Sequence, residues 1–247
     1  MKNLKHITII ALIFIGQTLS AQTKKTVAPF NKVIISPHIE TTFVKGDEES
    51  VTIIDSTEPD DKINIEVKGN TLRVYLDDAK EFTKSEKIEK NGMKMTVPIY
   101  KGKVLTILVT YKSIDDLSLR GEQKTVFESL INVEDFKLKI YGESVVLFNA
   151  VNFKEFDADI YGESQLTIKK GSISHQKITA YGECEINLVA VDNKTSRLKA
   201  YGEAEFTVNA SERIKFTAYG EAELHYTGAA DVDKGLSIGD SKINRID

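Results

Sequence analysis

Five copies of the tripeptide Tyr-Gly-Glu hold the side chains best suited to chemistry in this sequence. They begin at positions 141, 161, 181, 201 and 219. Aromatic rings beside carboxylates suit sugars, because the C–H faces of a sugar stack on rings and its hydroxyl groups bond to carboxylates. A regular row of such pairs would match a repetitive polymer better than a small molecule. The candidate binding residues are Tyr141, Tyr161, Tyr181, Tyr201, Tyr219, Glu143, Glu163, Glu183, Glu203 and Glu221.

A structural role for the same residues stays open. Stacked aromatic rings add ~0.5–1.5 kcal/mol per pair beyond burial, and a row of like charges discourages lateral association. Unit charges ~4.8 Å apart repel by about 0.9 kcal/mol in water. The repulsion between the glutamates would therefore have to be relieved, by splayed side chains, tyrosine hydroxyl groups, raised pKa values or bound cations.

Catalysis and metal binding find little support among these residues. A pair of catalytic carboxylates needs two environments that push their pKa values apart, whereas the glutamates here are near-copies of one another. His38, His175 and His225 are scattered without metal-ligand spacing. Cys184 stands where the other copies carry Ser or Ala, which indicates a packed thiol. We therefore predict a protein that is not an enzyme, with no metal and no cofactor.

The glycines of these copies define the elements that must position the side chains. Together with two degenerate copies, Arg120-Gly121-Glu122 and Ile238-Gly239-Asp240, they recur in steps of 18 to 21 residues. Apolar residues alternate on both sides of each glycine, which is typical of strands with one buried face. A short period of this kind marks a stacked repeat. The sequence thus predicts an all-β, single-domain parallel β-solenoid with ~20-residue rungs, whose tyrosines and glutamates point outward at a glycine corner.

The N-terminus predicts export. Lys2 and Lys5 precede an apolar run that ends near Ile15, and small residues lead to Ala21. This pattern is typical of a signal peptide over residues 1–21, and the run is too short to span a bilayer, which needs about 20 apolar residues. We expect the mature chain, 22–247, to have no transmembrane segment and to lie in the periplasm, at the cell surface or outside the cell. Its surplus of acidic residues argues against nucleic acid as a partner.

The mature chain divides into three stretches. Residues 27–76 read as strands, with a tight turn at Lys68-Gly69-Asn70, and regular rungs occupy 104–247. Between them, the charged excursion 77–103 predicts a solvated loop or a hairpin through Asn91-Gly92, with a binding loop as the alternative.

The opening segment Phe30–Ile35, the turn at Lys68-Gly69-Asn70 and the glycine-centred rungs together make the chain resemble a bacterial family, the auto-transporter adhesin head GIN domain. The likeness covers about Val27 to Asp247. The resemblance implies surface adhesion and no catalytic residues. Together with the tyrosine and glutamate pattern, it leads us to expect a cell-surface glycan or envelope polymer as the partner.

Three other functions remain open on the sequence alone. The chain could be a polysaccharide-active enzyme, a cation-stabilised periplasmic scaffold or a self-assembling envelope scaffold. Self-assembly is suggested by the open rung that follows the seventh corner, at Gly239. Against it, the charged residues Lys242, Arg245 and Asp247 would protect that edge from end-to-end pairing.

Overall fold

The structure is a computed structural model that describes residues 23–90 and 92–246. The predicted signal peptide, Asn91 and Asp247 lie outside the described residues. Strands numbered in chain order dominate, and the one short helical segment is a 3₁₀ turn, Asp60–Lys62. Over the described ranges, no helix has the length and apolarity needed to cross a membrane.

Two large sheets and one hairpin account for all the strands in the described part of the chain. The first sheet contains β1 (Thr23–Thr26), β3 (Ile39–Lys45), β4 (Ser50–Ser56), β9 (Leu105–Tyr111), β11 (Thr125–Phe127), β13 (Val145–Phe148), β15 (Gln165–Ile168), β17 (Cys184–Leu188), β19 (Ala204–Asn209), β21 (Ala222–Thr227) and β23 (Ser241–Arg245). The second contains β2 (Lys32–Ile35), β5 (Ile63–Lys68), β6 (Thr71–Leu76), β10 (Asp116–Gly121), β12 (Ile131–Gly142), β14 (Val151–Gly162), β16 (Gly171–Tyr181), β18 (Val191–Tyr201), β20 (Arg213–Tyr219) and β22 (Asp231–Ile238). The hairpin is β7 (Ser85–Lys90) with β8 (Met93–Pro98).

The predicted parallel β-solenoid is confirmed. In each regular rung a strand of the second sheet runs to the glycine corner, and a short strand of the first sheet follows it. Successive rungs pair in parallel and in register, so that Ile140 lies beside Ile160 and Tyr141 beside Tyr161. The register follows from the repeat length, because a step of one rung places each residue against its equivalent in the next.

The core lies between the two sheets and follows the alternation in the sequence. In β12, Phe136, Leu138 and Ile140 are buried while Lys137 and Lys139 are exposed. Phe136 and Phe156 are partners in adjacent rungs, but the next partner in this column is Gln176. Parallel stacking thus builds columns of buried side chains, and one of these columns changes from aromatic to polar partway along.

The N-terminal end of the solenoid is assembled from strands that are distant in sequence. Strand β9 lies between β3 and β4, pairing in parallel with β3 and antiparallel with β4. Strand β2 lies between β6 and β10, and β5 pairs antiparallel with β6 at the edge. The segments 27–76 and 104–247 therefore interlock here, because the first strand of the later segment fills a place inside the earlier one.

The excursion 77–103 contains the predicted hairpin. Strands β7 and β8 pair only with each other and form a separate two-stranded sheet. The excursion is joined to the solenoid at its base, where the backbone N–H of Ile99 donates to the carbonyl of Lys84 and Tyr100 is buried.

Candidate functional site

The five tyrosines of the repeats form a continuous column, here called the tyrosine ladder: Tyr141, Tyr161, Tyr181, Tyr201 and Tyr219. Neighbouring ring centroids lie 4.6 to 5.0 Å apart, with interplanar angles of 2° to 6°. Tyr141 and Tyr201 are each 37% exposed. The outward position predicted for these rings is where the structure places them.

The stacking changes how the tyrosine ladder could contact a ligand. Because each internal ring is covered on both faces by its neighbours, the ring faces of Tyr161, Tyr181 and Tyr201 are not free for a sugar. What the ladder presents to solvent is a row of ring edges and hydroxyl groups. Burial raises the pKa of Tyr161, and Asp159 and the neighbouring tyrosines act in the same direction. The hydroxyl group of Tyr161 is therefore held in its neutral form, in which it can donate a hydrogen bond.

The acidic ladder runs beside the tyrosines, two residues further along each rung. It consists of Glu143, Glu163, Glu183, Glu203 and Glu221, all exposed. Among residues 23–90 and 92–246, no ion pair involves these five carboxylates, and no hydrogen bond joins them to a ladder tyrosine. The tyrosine hydroxyl groups thus do not relieve the repulsion between these carboxylates, and the carboxylates are exposed to solvent.

A second acidic row lies on the next outward position, at Glu185, Glu205 and Glu223. Its last member is neutralised: Lys242 lies 2.6 Å from the Glu223 carboxylate and holds its pKa below the usual range. His225 lies between two members, with Nε2 3.7 Å from Glu205 and 3.5 Å from Glu223. Between this row and the acidic ladder runs a shallow groove of about 530 Å³.

Glycine is required at the corner by both conformation and space. Gly162 has φ of 100°, and a Cβ there would lie within 3.0 Å of the carbonyl oxygen of Gly142 in the preceding rung. The other corner glycines show the same crowding. Only a residue without a side chain allows the rungs to approach this closely with positive φ.

A small buried side chain follows each corner, as the sequence predicts. The Oγ of Ser164 donates to the carbonyl of Gly142 at 2.9 Å, and Ser144 repeats this bond to Gly121 at 2.8 Å. Cys184 takes the same place, with its Sγ 3.4 Å from the carbonyl of Gly162. Burial raises the pKa of the Cys184 thiol, which agrees with a packed side chain rather than a nucleophile.

The sequence analysis missed a cluster at the N-terminal end of the tyrosine ladder. Arg120 pairs in register with Tyr141, and its guanidinium group lies 5.8 Å from that ring centroid. Both Arg120 and Arg73 form salt bridges with Glu81 of the excursion. The available signal was Arg120 itself, which stands where the later copies have tyrosine.

The other predicted residues are not gathered into a catalytic or metal site. His175 bonds to Thr195 through Nδ1 at 2.7 Å, and His38 lies at the base of the excursion. Within the described ranges, no group of three or more His, Cys, Asp or Glu side chains is placed to hold a metal ion.

Solved structures of low sequence identity share this fold. A putative adhesin from Bacteroides fragilis is 17% identical, with a TM-score of 0.73 over 91% of this chain and 96% of the other. A putative adhesin from Parabacteroides merdae is 13% identical, with a TM-score of 0.65 over 92% and 96%. A putative lipid binding protein from Parabacteroides distasonis is 15% identical, with a TM-score of 0.59 over 92% and 96%.

No protein of curated function matches the chain. The family described as "Putative auto-transporter adhesin, head GIN domain" matches residues 29–230, which confirms the resemblance carried by the opening segment and the rungs. The chain belongs to the auto-transporter adhesin head GIN domain family.

Proposed function

We propose that this chain is an exported, non-enzymatic adhesin that binds a surface polymer, a glycan in particular, along its tyrosine ladder and acidic ladder. The observation that carries the proposal is the regular spacing of the tyrosine ladder beside carboxylates that have no ion-pair partner in the described residues. Membership of an adhesin family supports the same class of function.

The stacked rings favour hydrogen bonding over face stacking as the binding mode. The exposed row consists of tyrosine hydroxyl groups, which both donate and accept, and carboxylates, which accept. Sugar hydroxyl groups are complementary to both. Because the row repeats at about the strand spacing of ~4.8 Å, a chain with many hydroxyl groups can make several weak bonds at once.

The uniform environment of the carboxylates supports a binding role rather than catalysis. Glycoside hydrolysis uses one carboxylic acid and one carboxylate with different pKa values. The five glutamates of the acidic ladder occupy equivalent exposed positions, each directly after a corner glycine. Turnover of a polysaccharide that is abolished by one Glu→Gln change would instead establish the enzymatic alternative, and filaments seen by electron microscopy would establish the scaffold.

The hydroxyl groups of the tyrosine ladder can be removed without removing its rings. In the triple variant Tyr161→Phe, Tyr181→Phe, Tyr201→Phe, the stacked column should persist and the donors should be lost. We expect binding on a glycan array to fall at least tenfold, since several hydrogen bonds of about 0.5–1.5 kcal/mol each are removed. Circular dichroism and the melting temperature check that the fold is kept.

A second triple variant, with Ser in place of the same three tyrosines, removes the whole exposed row. The matched control is Lys137→Ser with Lys177→Ser, two outward side chains on the same sheet away from the corner. If both tyrosine variants bind glycans as the wild type does, the ladder is a structural element and the proposal is wrong.

Lipid contact through the hairpin is a second candidate function. Met93 is 65% exposed and Met95 is 46% exposed, and Ile88 lies directly opposite Met95 on the same face. The excursion 77–103 also carries seven lysines against three glutamates and two aspartates, a net charge of +2 in an acidic chain. An apolar face with basic flanks suits an anionic lipid surface, and one solved structure of the same fold is named a putative lipid binding protein.

Vesicle co-sedimentation tests this candidate. The wild type should sediment with vesicles of 3:1 phosphatidylcholine and phosphatidylglycerol, and the double variant Met93→Asp, Met95→Asp should lose most of that binding, because two charges must then enter the interface. Leu130→Asp, which alters another exposed apolar residue, is the control. Equal sedimentation of all three proteins would exclude hairpin-mediated lipid binding.

A further inference from the structure

A pocket lies where the tyrosine ladder meets the excursion. Its volume is about 580 Å³, within the ~300–1,000 Å³ typical of small-molecule sites. The excursion forms one wall through Glu81 and Phe82, and the first glycine corner forms the other through Arg120 and Glu122. Tyr141 lines the side of the pocket that is nearest to the tyrosine ladder. We call this site the Arg120 pocket.

Phe82 gives the pocket an unoccupied aromatic surface. Its side chain is 73% exposed although it lines a cavity. Leaving a phenylalanine ring in water is unfavourable, and a ligand that covers the ring removes this cost. Unlike the internal rings of the tyrosine ladder, Phe82 has no aromatic neighbour stacked on it in the described part of the chain. A ligand ring can therefore lie flat against it, which the ladder does not permit.

Arg120 gives the pocket a positive charge that is only partly neutralised. It and Arg73 share the single carboxylate of Glu81, so the cluster of three side chains keeps one positive charge. The Nε atoms of both arginines are buried and have no hydrogen-bond partner in the described residues. Burial lowers the pKa of Arg120, and the charge of Arg73 adds to this effect. A ligand with negative charge in the pocket would balance the surplus charge and accept a hydrogen bond from the terminal nitrogens of Arg120.

The frame around the pocket is held in a defined geometry. His38 has φ of 72°, a left-handed conformation that is costly for a residue with a Cβ. Three hydrogen bonds hold it there: its Nδ1 with the carbonyl of Gly102 at 2.6 Å, its Nε2 with the hydroxyl of Thr83 at 2.5 Å, and its backbone N–H to Gln123 Oε1 at 2.7 Å. These bonds tie the excursion to the first corner. Strain that the surroundings hold in place is a feature of pre-organised ligand sites.

We infer that the Arg120 pocket binds a sugar residue that carries a carboxylate, with the sugar ring on Phe82 and the carboxylate on the guanidinium group of Arg120. Glu122, exposed at the rim, accepts from the ring hydroxyl groups. The choice of a sugar rests on the proposed function. The pocket itself is a separate contact, since it uses an open aromatic face and a cation where the ladders use ring edges and carboxylates.

The probes are a glucuronic acid disaccharide and the neutral disaccharide cellobiose, measured by isothermal titration calorimetry with the full mature chain. We expect the acidic sugar to bind at least tenfold more tightly than cellobiose, and its affinity to fall as NaCl rises from 50 to 500 mM. Phe82→Ala should weaken the acidic sugar at least tenfold and keep the fold, because this side chain is exposed. Arg120→Lys should also weaken it, since lysine keeps the charge but loses the planar fork.

Leu130→Ala, a truncation of an exposed apolar residue outside the pocket, is the matched control and should bind as the wild type does. Absence of binding to the acidic sugar, equal affinity for cellobiose, or unchanged affinity in Phe82→Ala would each overturn the inference. The triple Phe variant of the tyrosine ladder separates the two proposals. If it keeps the disaccharide but loses the glycan array signal, both stand, and if Phe82→Ala changes neither signal, the ladder proposal survives alone.

Discussion

At the scale of single residues, Tyr111 carries a buried hydroxyl group without a partner. Its side chain is 1% exposed between Phe43 and Phe127, and its OH group makes no hydrogen bond in the described residues. Desolvation raises its pKa to about 12. The ring packs well, but the oxygen costs free energy that a phenylalanine would not.

Tyr111→Phe should therefore stabilise the protein by about 1 kcal/mol at pH 7, measured by urea unfolding. The advantage should widen at alkaline pH. Because the pKa of Tyr111 is higher in the folded than in the unfolded state, its contribution to the stability of the wild type is fully present below the unfolded pKa near 10. This contribution is lost as the pH rises towards 12, and two pKa units correspond to about 2.7 kcal/mol. The same difference in unfolding free energy at pH 7 and pH 11.5 would contradict the assignment.

The pattern of the sequence predicted which way each side chain points but not how its ring turns. Alternation in β12 and β14 fixes the outward face for Tyr141 and Tyr161, because successive residues of a strand point to opposite sides. The face-to-face stacking depends on rotamers that a period of two does not encode. The polar part of the buried column was not predicted from the sequence either. Gln176 and Ser196 are buried and bond to each other at 2.8 Å, where alternation alone suggests apolar side chains.

At the scale of elements, the glycine corner sets the distance between rungs. Gly162→Ala should destabilise the protein by roughly 2–5 kcal/mol, because it combines strain at positive φ with overlap against the backbone of Gly142. The measurement is urea unfolding followed by circular dichroism.

Gly69→Ala is the matched control, since Gly69 also has positive φ, 61°, but faces open space. It should cost only about 1–2 kcal/mol of backbone strain. Similar losses for the two variants would show that conformation alone, and not the approach of the rungs, requires glycine at the corner.

The regular rungs could be predicted from the sequence, and the interlocked N-terminal end could not. Equivalent positions of the rungs repeat the same pattern of residues, so the pairing of Phe136 with Phe156 can be predicted from the sequence. Strand β9 contains an apolar alternation that fits any neighbour, and nothing in Leu105–Tyr111 specifies a place between β3 and β4. Pairing between strands that are distant in sequence is decided by the whole fold.

At the scale of the whole molecule, the acidic ladder makes stability depend on salt. Unit charges that repeat at a spacing of ~4.8 Å repel by about 0.9 kcal/mol per pair in water, and salt screens this repulsion. Glu183 has a carboxylate on each side of it, at Glu163 and Glu203. Glu183→Gln should raise the melting temperature at 10 mM NaCl, and the gain should shrink at 300 mM NaCl, where charges are screened.

Glu134→Gln is the control for this prediction, because Glu134 is exposed in β12 near Lys154 and does not belong to a column of carboxylates. It should not raise the melting temperature. If Glu183→Gln behaves in the same way, the repulsion is already relieved in solution.

The placement of β9 has a consequence for the order in which a nascent chain can fold. Strand β3 needs β9 and β11 as its two neighbours, and β11 ends at Phe127. A polypeptide that emerges N-terminus first must therefore expose about one hundred residues, from β1 to the end of β11, before its first rung is enclosed. Each further rung of ~20 residues can then pair with the folded rung before it. These contacts are close in sequence, which favours rapid folding of each new rung. The slow step of biogenesis is thus the closing of the N-terminal end, and the rungs that bear the ladders follow in sequence.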